Sequence, residues 1–367
     1  MIAVDAMGGD FAPRAVVRGA FQAAREGVSS ILYGDAPSLE LLLSECDPAW
    51  HLLPLSIVHC SEVIEMGDAP SRTVIKKKDS SLVRAIQAVA DGQADAVLSA
   101  GNSGAAVVAG TLIIGRVPGV LRPALGNFLP TRTGSFFCLD LGATVDSKAE
   151  YLEQFALMGS LFVAQTTAIV SPRVALLSNG IEPYKGCMVV KDAYARLEQN
   201  LEINFVGNLE SRDIFDGNVD VLVCDGFSGN VMLKAMQGTA QAMLFFIQDF
   251  AQKSWWHTAL LALQKPIFRV LKKKLDYAEK GGALLLGLQK PVIVAHGCSH
   301  ERAIINALLF TDRIVRDATL KTFNVELASM IKRVKKVETM PAKENGETQF
   351  VEVPFMETKS VQTQSRE

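Results

Sequence analysis

The chain lacks the cysteine and histidine patterns of metal-binding and disulfide-stabilised proteins. Its 367 residues include six cysteines and five histidines, but no C-x-x-C pair and no histidines at metal-ligand spacing. A zinc site or a disulfide framework is therefore not indicated, and we expect neither a metal nor a cofactor. Four of the cysteines lie in apolar runs or at their ends, which predicts buried, reduced thiols. The six are Cys46, Cys60, Cys138, Cys187, Cys224 and Cys298.

Long apolar runs and a strong net charge are also missing. No stretch gives about 18 uninterrupted apolar residues, so a membrane-spanning helix is not predicted. The first residues carry no basic segment, and Asp5 and Asp10 interrupt their apolar run, which argues against a signal peptide. The formal net charge of -2 gives no reason to expect nucleic acid as a partner. We expect a cytoplasmic protein that binds any anion locally.

Several motifs that would identify a reaction are absent. The sequence has no G-x-G-x-x-G after a strand, no Walker A loop and no H-E-x-x-H. It also has no G-x-S-x-G elbow, so a serine hydrolase of that type is not indicated. Ser103 and Ser228 are therefore expected to bind ligand or cap helices rather than attack a substrate.

Short apolar runs alternate with amphipathic stretches over most of the length. Runs of Val, Ile and Leu without period-two alternation are typical of strands that are covered on both faces. Strand and helix repeated in this order predict an α/β fold in which helices cover both sides of a mostly parallel sheet. The predicted strands are IAVDAM, SILYG, LSIVHC, DAVLSA, SFFCLDL, RVALLS, INFVGN, VDVLVCDG and PVIVAHG.

Two regions depart from this alternation. A segment over about residues 253–276 is rich in aromatics and leucine and then becomes basic, as in SWWHTALLALQKPIFRVLKKK. Residues 337–367 are polar and without helical or strand periodicity, which predicts a disordered tail. We therefore expect one catalytic α/β unit over residues 1–336.

Polar and small residues follow six of the predicted strands. In an open parallel sheet, ligands bind beyond the carboxyl ends of the strands, so these residues indicate a crevice. They are Asp5, Gly8, Gly9 and Asp10; Gly101, Asn102, Ser103 and Gly104; Asp140 and Gly142; Asn179, Glu182 and Lys185; Asp225, Ser228, Gly229, Asn230 and Lys234; and His296.

Two of these groups, GNSG at 101–104 and GFSGN at 226–230, come just before predicted helices. Free backbone N–H groups and the positive end of the helix dipole favour an anion such as phosphate there. Ser and Asn are equally favoured as helix caps, so both interpretations stay open. A third group, Arg72 with Lys76–Lys78, is either solvated surface or the basic mouth of the crevice.

Taken in order, the motifs resemble the bacterial acyl-ACP:phosphate acyltransferase (PlsX) family. The resemblance is carried by DAMGGDFAP, KKKDSSLVRA, SAGNSGA, RPAL, DLGATVDSKAEYLEQFALMGS, CDGFSGNVMLK and HGCSH, between Asp5 and about residue 320. The chain departs from the family at Thr144, where Asn is usual. It departs again in SNGIEPYKG, where N-I-G-E usually precedes the lysine; this keeps Lys185 but makes Asn179 and Glu182 less secure.

The resemblance implies a reaction in which inorganic phosphate attacks the acyl thioester of acyl carrier protein, as a step of phospholipid biosynthesis. It also implies a three-layer αβα, Rossmann-like fold, similar to isocitrate and isopropylmalate dehydrogenases and to phosphotransacetylases. A homodimer is expected. The acyl phosphate would pass to a membrane glycerol-3-phosphate acyltransferase.

Site residues follow from the same resemblance. Lys185 is expected to bind phosphate or the developing negative charge, Asn230 to donate to the thioester oxygen, and His296 to be a third catalytic member. Asp5 and Asp10 would orient loops rather than touch phosphate. The expected substrate-binding residues are Asp5, Gly8, Gly9, Asp10, Gly101, Asn102, Ser103, Gly104, Ser228 and Gly229.

Basic residues are the expected contacts of the acidic carrier protein. The first set is Arg72 with Lys76, Lys77 and Lys78. The second follows an aromatic stretch typical of an interfacial helix on an anionic membrane, with a dimer-interface helix as the alternative. This second set comprises Trp255, Trp256, Arg269, Lys272, Lys273 and Lys274. The protein would then be cytoplasmic and peripherally membrane-associated.

Two other functions are compatible with parts of the sequence. A nicotinamide-dependent decarboxylating dehydrogenase could share the fold, but it would need a metal-binding aspartate cluster and an arginine set for a dicarboxylate. A catalytically inactive, membrane-associated scaffold would keep the 255–274 stretch while tolerating the loss of Lys185 and Asn230.

Overall fold

A computed structural model describes residues 1–253, 256, 281–317 and 319–338. Its strands are β1 (Ile2–Asp5), β2 (Ser30–Gly34), β3 (Leu55–His59), β4 (Ala96–Ser99), β5 (Ala124–Pro130), β6 (Ser135–Leu139), β7 (Arg173–Ser178), β8 (Asn204–Glu210), β9 (Val221–Val223), β10 (Ala283–Leu286) and β11 (Val292–Val294). Its α-helices are α1 (Arg14–Arg25), α2 (Ala36–Cys46), α3 (Pro70–Lys76), α4 (Ser81–Ala90), α5 (Ser103–Ala109), α6 (Ala149–Thr166), α7 (Met188–Glu198), α8 (Gly226–Gln252), α9 (Glu301–Arg316) and α10 (Thr319–Glu338).

The strands form one sheet in the order β3-β2-β1-β4-β11-β10-β5-β6-β9-β7-β8. Neighbours pair in parallel except along β11-β10-β5-β6, where each pair is antiparallel. The mostly parallel α/β sheet predicted from the sequence is confirmed. All nine predicted strands are present, while β5 and β10 were not predicted.

Both faces of the sheet are buried, as the uninterrupted apolar runs indicate. Along β1, Val4 packs into one core and Ala3 into the other, and along β6 the same holds for Phe137 and Phe136. Helices α1, α2, α6, α7, α9 and α10 cover the first face, and α3, α4, α5 and α8 cover the second. The three-layer αβα arrangement is therefore confirmed.

Strands β1, β4 and β11 are parallel to one another, and so are β6, β9 and β7. The three antiparallel pairs between β11 and β6 make these two sets run in opposite directions, so their carboxyl ends lie at opposite edges of the sheet. The expectation that all six strand ends meet in one crevice is therefore wrong. Helix α8 starts after β9 and reaches the loop after β11 through Gln237, so it links the two groups of loops.

The cysteine prediction is only partly correct. All six cysteines are free thiols, and Cys60, Cys138 and Cys224 are buried. Cys187 and Cys298 are exposed, because they lie on loops beyond strand ends rather than within strands.

No helix in the described part of the chain is long and apolar enough to cross a bilayer. The amphipathic segment predicted over 253–276 lies outside the described residues apart from Lys253 and Trp256. Helix α10 continues to Glu338, two residues past the predicted boundary, and 339–367 lie outside the described residues. The division into a 1–336 unit and a tail stays a prediction.

Candidate active site

Asp5, at the end of β1, ties three elements together. Its carboxylate accepts hydrogen bonds from Ser81 Oγ at 2.6 Å and from Ser99 Oγ at 2.7 Å. These serines begin α4 and end β4, so one buried acid fixes both elements against β1. Burial raises the pKa of Asp5, although the hydrogen bonds oppose the shift. Since both oxygens are engaged away from solvent, the group serves as a framework beneath the crevice.

The glycines after Asp5 allow two loops to touch. A Cβ on Gly8 would lie 2.4 Å from Asp5 Oδ2 and 2.8 Å from the backbone nitrogen of Gly101. Gly9 has φ of +115°, a conformation that side chains disfavour. Beyond it, exposed Asp10 donates its backbone N–H to Gly297 O at 2.8 Å, which joins this loop to HGCSH. The glycines are therefore required for close packing of the loops.

The side-chain amide of Asn102 forms structural hydrogen bonds through both its oxygen and its nitrogen. Its Oδ1 accepts from Ala105 N at 3.0 Å and caps α5. Its Nδ2 lies 3.3, 3.1 and 3.0 Å from the carbonyl oxygens of Glu65, Met66 and Asp68. The capping interpretation of GNSG thus holds for the Asn102 side chain, which also anchors the loop before α3. Anion binding by the backbone of this turn stays a prediction.

Asp140, at the end of β6, organises the loop that follows it. Oδ1 accepts the backbone N–H groups of Leu125 at 2.9 Å, Gly142 at 3.1 Å and Ala143 at 2.9 Å. Oδ2 accepts that of Thr144 at 2.6 Å. Complete burial raises its pKa to about 6, against the four hydrogen bonds that favour the carboxylate. A single side chain therefore joins the 140–144 loop to β5.

The start of α8 is docked on this loop. Asp225 caps the helix by accepting Ser228 N at 2.8 Å, and Gly226 N donates to Thr144 O at 2.9 Å. Half-buried Asn230 donates its Nδ2 to Leu141 O at 3.1 Å. This bond fixes the Asn230 amide and leaves its Oδ1 without a partner among the described residues. Thr144, where the family has Asn, contributes its backbone here.

Helix α8 also reaches the loop after β11. Gln237 Nε2 lies 3.4 Å from His296 Nε2, and Lys234 is one turn closer to the start of the helix. Burial, followed by the charge of Lys234, lowers the pKa of His296, so the imidazole is neutral at pH 7. Positions 230, 234 and 237 recur at helical spacing, so one face of α8 presents all three to the crevice.

Lys185 lies on the loop after β7. Asn179 Oδ1 accepts the backbone N–H of Gly186 at 2.9 Å and closes this loop. The half-buried Lys185 ammonium is 5.8 Å from the centre of the Tyr184 ring and forms no ion pair with a described residue. An unpaired, partly desolvated cation is available to an anionic ligand.

Residues of the Lys185 loop and of the first turns of α8 line the same cavity. Asn230 lies on α8 and His296 contacts the helix through Gln237, whereas Lys185 does not itself line the cavity; the catalytic roles of all three stay a prediction. Gln237 was missed from the sequence, although its spacing of seven residues from Asn230 is a signal that could have revealed it. Asp140 was noted as a strand-end residue, but no role was assigned to it.

The predicted basic contact set divides in two. Lys77 donates to Val63 O at 2.7 Å and to Asp68 at 2.9 Å, so its ammonium holds the loop before α3. Arg72, Lys76 and Lys78 are exposed. Of the second set, Trp256 is 62% exposed, while Trp255, Arg269, Lys272, Lys273 and Lys274 lie outside the described residues.

Replacing Asp140 with asparagine should lower Tm at about pH 7.5, because an amide NH2 cannot accept the Thr144 N–H. Burial raises the pKa of Asp140 from 3.8 to about 6. Between these two pH values the Asp140 carboxyl is therefore protonated in the folded protein and ionised in the unfolded chain. This contribution to stability is fully present below about pH 4 and is lost as the pH rises through about 6. The variant lacks it, so the Tm difference should be larger at about pH 4.5 than at 7.5. Calorimetry at both pH values tests this, and a constant difference would contradict it.

Comparisons with known proteins agree over most of the chain. The model of a family described as "Fatty acid synthesis protein" matches residues 1–321. The phosphate acyltransferase of Dictyoglomus turgidum is 43% identical over 317 residues, which are 86% of this chain and 94% of that protein. That of Pelotomaculum thermopropionicum is 44% identical over 334 residues, 91% of this chain and 95% of that protein.

Among solved structures, a phosphotransacetylase from Streptococcus pyogenes resembles the chain with a TM-score of 0.59. The match covers 86% of this chain and 94% of that chain at 20% sequence identity. At this identity the likeness establishes a shared fold.

Proposed function

Since the chain belongs to the fatty acid synthesis protein (PlsX) family, we propose that it transfers a fatty acyl group from acyl carrier protein to inorganic phosphate. The products are acyl phosphate and free carrier protein. The curated relatives are named phosphate acyltransferases and align over nearly their whole length, so the chain is an acyltransferase. The observation that supports the proposal is that residues of the Lys185 loop and of the first turns of α8 line one cavity.

The reaction suits a site without an enzyme nucleophile. A phosphate oxygen attacks the thioester carbonyl carbon, the C–S bond breaks, and the carrier thiolate leaves and takes up a proton. A thiol of pKa about 8.5 is a good leaving group. The enzyme therefore has to align two reactants and stabilise the negative charge on the carbonyl oxygen.

Three residues are proposed for these tasks. The unpaired ammonium of Lys185 neutralises charge on phosphate or on the developing oxyanion. Asn230, fixed through Leu141 O, still has one amide hydrogen for the thioester oxygen. Neutral His296 can accept the proton that dihydrogen phosphate loses as it attacks, and the imidazolium so formed can pass that proton to the leaving sulfur.

The glycine-rich turns at 101–104 and 226–229 complete this assignment. The backbone N–H groups of Gly101, Gly226, Ser228 and Gly229 already donate within the protein, so the remaining N–H groups of these turns are proposed to bind substrate, with the Ser103 and Ser228 hydroxyls beside them. Asp5 shapes the crevice from below through Ser81 and Ser99. Buried and bonded in this way, it does not repel the phosphate directly.

The activity is tested by incubating purified protein with palmitoyl-carrier protein and inorganic phosphate. Acyl phosphate, trapped with hydroxylamine, and the free carrier thiol should appear together and in equal amounts. Sulfate in place of phosphate is the control and should give neither product. Failure of the wild-type protein to turn over would remove the enzyme assignment and favour a scaffold.

The proposal also covers the protein's binding partners, its oligomeric state and its location. Carrier protein docks at the crevice mouth, the protein acts as a homodimer, and residues 255–274 rest on an anionic membrane from the cytoplasmic side. Acyl phosphate, which is apolar at one end and easily hydrolysed, then passes to a membrane glycerol-3-phosphate acyltransferase. Residues 1–336 form the catalytic unit and 337–367 a tail outside it.

Reversing the three exposed charges at Arg72, Lys76 and Lys78 to glutamate should raise KM for acyl-carrier protein about tenfold. The carrier is acidic, so the change replaces attraction by repulsion, and low salt should enlarge the effect. The KM for phosphate should stay within twofold. Arg25→Glu, at the end of α1 and the opposite edge of the sheet, is the control and should change neither value. An equal effect of both variants would argue against this docking face.

A further inference from the structure

A large cavity lies beside the proposed catalytic residues. It has a volume of about 790 Å³, opens to solvent, and is lined by the end of β7, the first turn of α7, residues 211–215 and α8. This volume is within the range of small-molecule sites in proteins. The residues on its α8 side run from Phe227 to Met243, about 24 Å along the helix. The cavity is therefore long as well as large.

The lining excludes an anionic occupant. No Lys, Arg or His is among the described residues that line the cavity. Its single charged residue is Asp225, whose carboxylate already caps α8. The other walls are predominantly aliphatic, aromatic and methionine side chains. Phosphate would meet no cation here, whereas a hydrocarbon chain would exchange water for apolar contact.

One end of the cavity is polar, and it is the end next to Lys185. Ser178 Oγ is buried there without a hydrogen-bond partner among the described residues. A Cβ placed on Gly186, the neighbour of Lys185, would lie 3.1 Å from this oxygen. Asn179 and Ser228 line the same end. A buried hydroxyl that lacks a partner is costly unless a ligand supplies one.

The wall formed by α8 is suited to chains of variable length. Met232, Met236 and Met243 recur on the same face of the helix and line the cavity. Methionine side chains are unbranched and flexible, so they adapt to ligands of differing length. This face is distinct from the one that carries Asn230, Lys234 and Gln237.

We propose that this cavity binds the fatty acyl chain of the substrate. The end of the chain nearest the thioester lies at Ser178, next to the Lys185 loop, where Ser178 Oγ donates a hydrogen bond to the substrate, and the chain extends along α8 towards Met243. Ala240, near the far end, limits the length of chain that is accommodated. The identity of the substrate rests on the proposed acyl transfer, whereas the apolar character of the bound group is inferred from the cavity alone.

The test is Ala240→Phe, with Ala242→Phe as the control at a position on α8 that does not line the cavity. Octanoyl-, dodecanoyl- and palmitoyl-carrier protein are compared. Excluding two methylenes from apolar contact should lower kcat/KM for the palmitoyl substrate about 15-fold, since each CH2 contributes roughly fourfold, or about 0.8 kcal/mol. Octanoyl transfer should change by less than twofold. The control should leave the ratio of the two substrates unchanged.

A second measurement does not depend on turnover. Palmitate binding to the full-length protein is followed by calorimetry, without carrier protein or phosphate, and should weaken about tenfold or more in Ala240→Phe only. If wild-type protein bound palmitate and Ala240→Phe did not, while neither protein transferred an acyl group, the cavity assignment would stand and the proposed reaction would be wrong. Normal transfer with an unchanged chain-length profile and unchanged palmitate binding would overturn the cavity assignment alone.

The same variants distinguish an acyl chain from a second copy of this chain as the occupant. Sedimentation of wild type and Ala240→Phe should give the same mass. A change in mass together with an equal loss for all three acyl lengths would mean that another copy covers the cavity, and would overturn the proposal.

Discussion

Lys185→Ala is expected to lower kcat for acyl phosphate formation by about 100- to 1,000-fold, the usual effect of removing one donor to a developing oxyanion. The ammonium is half-buried and forms no ion pair with a described residue, so its charge is available to the substrate. No lysine or arginine among the described residues lines the adjoining cavity, so none is placed there to replace Lys185. The effect should fall on kcat more than on KM for carrier protein, and steady-state kinetics with palmitoyl-carrier protein measures both.

Two variants complete this test. Lys191→Ala, on the exposed side of α7, removes a lysine six positions away and should retain wild-type kcat. Lys185→Arg keeps the charge on a longer, forked group and should recover part of the activity. The Tm of Lys185→Ala should match that of wild type. Activity within about fivefold of wild type would place oxyanion stabilisation elsewhere.

Gly229→Ala should destabilise the protein by about 3 kcal/mol or more and abolish activity, because the new Cβ has no space. It would lie 2.0 Å from Asp140 O and 2.7 Å from Cys224 Sγ. Both atoms belong to buried strand ends, so the start of α8 would have to move away from the 140–144 loop. That shift would break the Asn230–Leu141 bond. Urea unfolding and the acyl phosphate assay measure the two effects.

Gly238→Ala is the matched control on the same helix. A Cβ there meets no described atom within 4 Å, so only helix propensity changes. Alanine should then stabilise the helix by up to about 1 kcal/mol. Equal urea midpoints for Gly229→Ala and Gly238→Ala would show that the packing of α8 against Asp140 does not require glycine at position 229.

The parallel part of the sheet could be predicted because burial on both faces produces uninterrupted apolar runs. Strands β5 and β10 could not be predicted in the same way. In β5 the apolar run is interrupted by Gly126, Asn127 and Pro130. Strand β10 is a short ALLL segment that periodicity does not distinguish from a buried helix. Their central position depends on pairing with residues far away in the chain.

At the candidate site, the sequence predicts which loops take part but not which contacts each side chain makes. Strand-end residues stand out because glycine, aspartate and asparagine interrupt apolar runs. Their tasks depend on distant partners: Asp5 meets Ser81 and Ser99, and Asn102 meets three carbonyl groups of the loop before α3. The same holds for Lys77, which donates to Val63 O and Asp68. A run of three lysines gives no sign of which one makes these contacts.

The central position of β10 and β11 has a consequence for synthesis on the ribosome. Strand β4 pairs with β11, which follows it by about 190 residues, so its edge stays open for roughly 10–40 s of translation. The edge of β5 that faces β10 also remains unpaired until about three quarters of the chain, up to Leu286, has emerged. Such edges can pair with other nascent chains. Truncation before residue 283 is therefore expected to leave two half-sheets with open edges that aggregate, and the complete chain keeps both edges open until its last two strands join the halves.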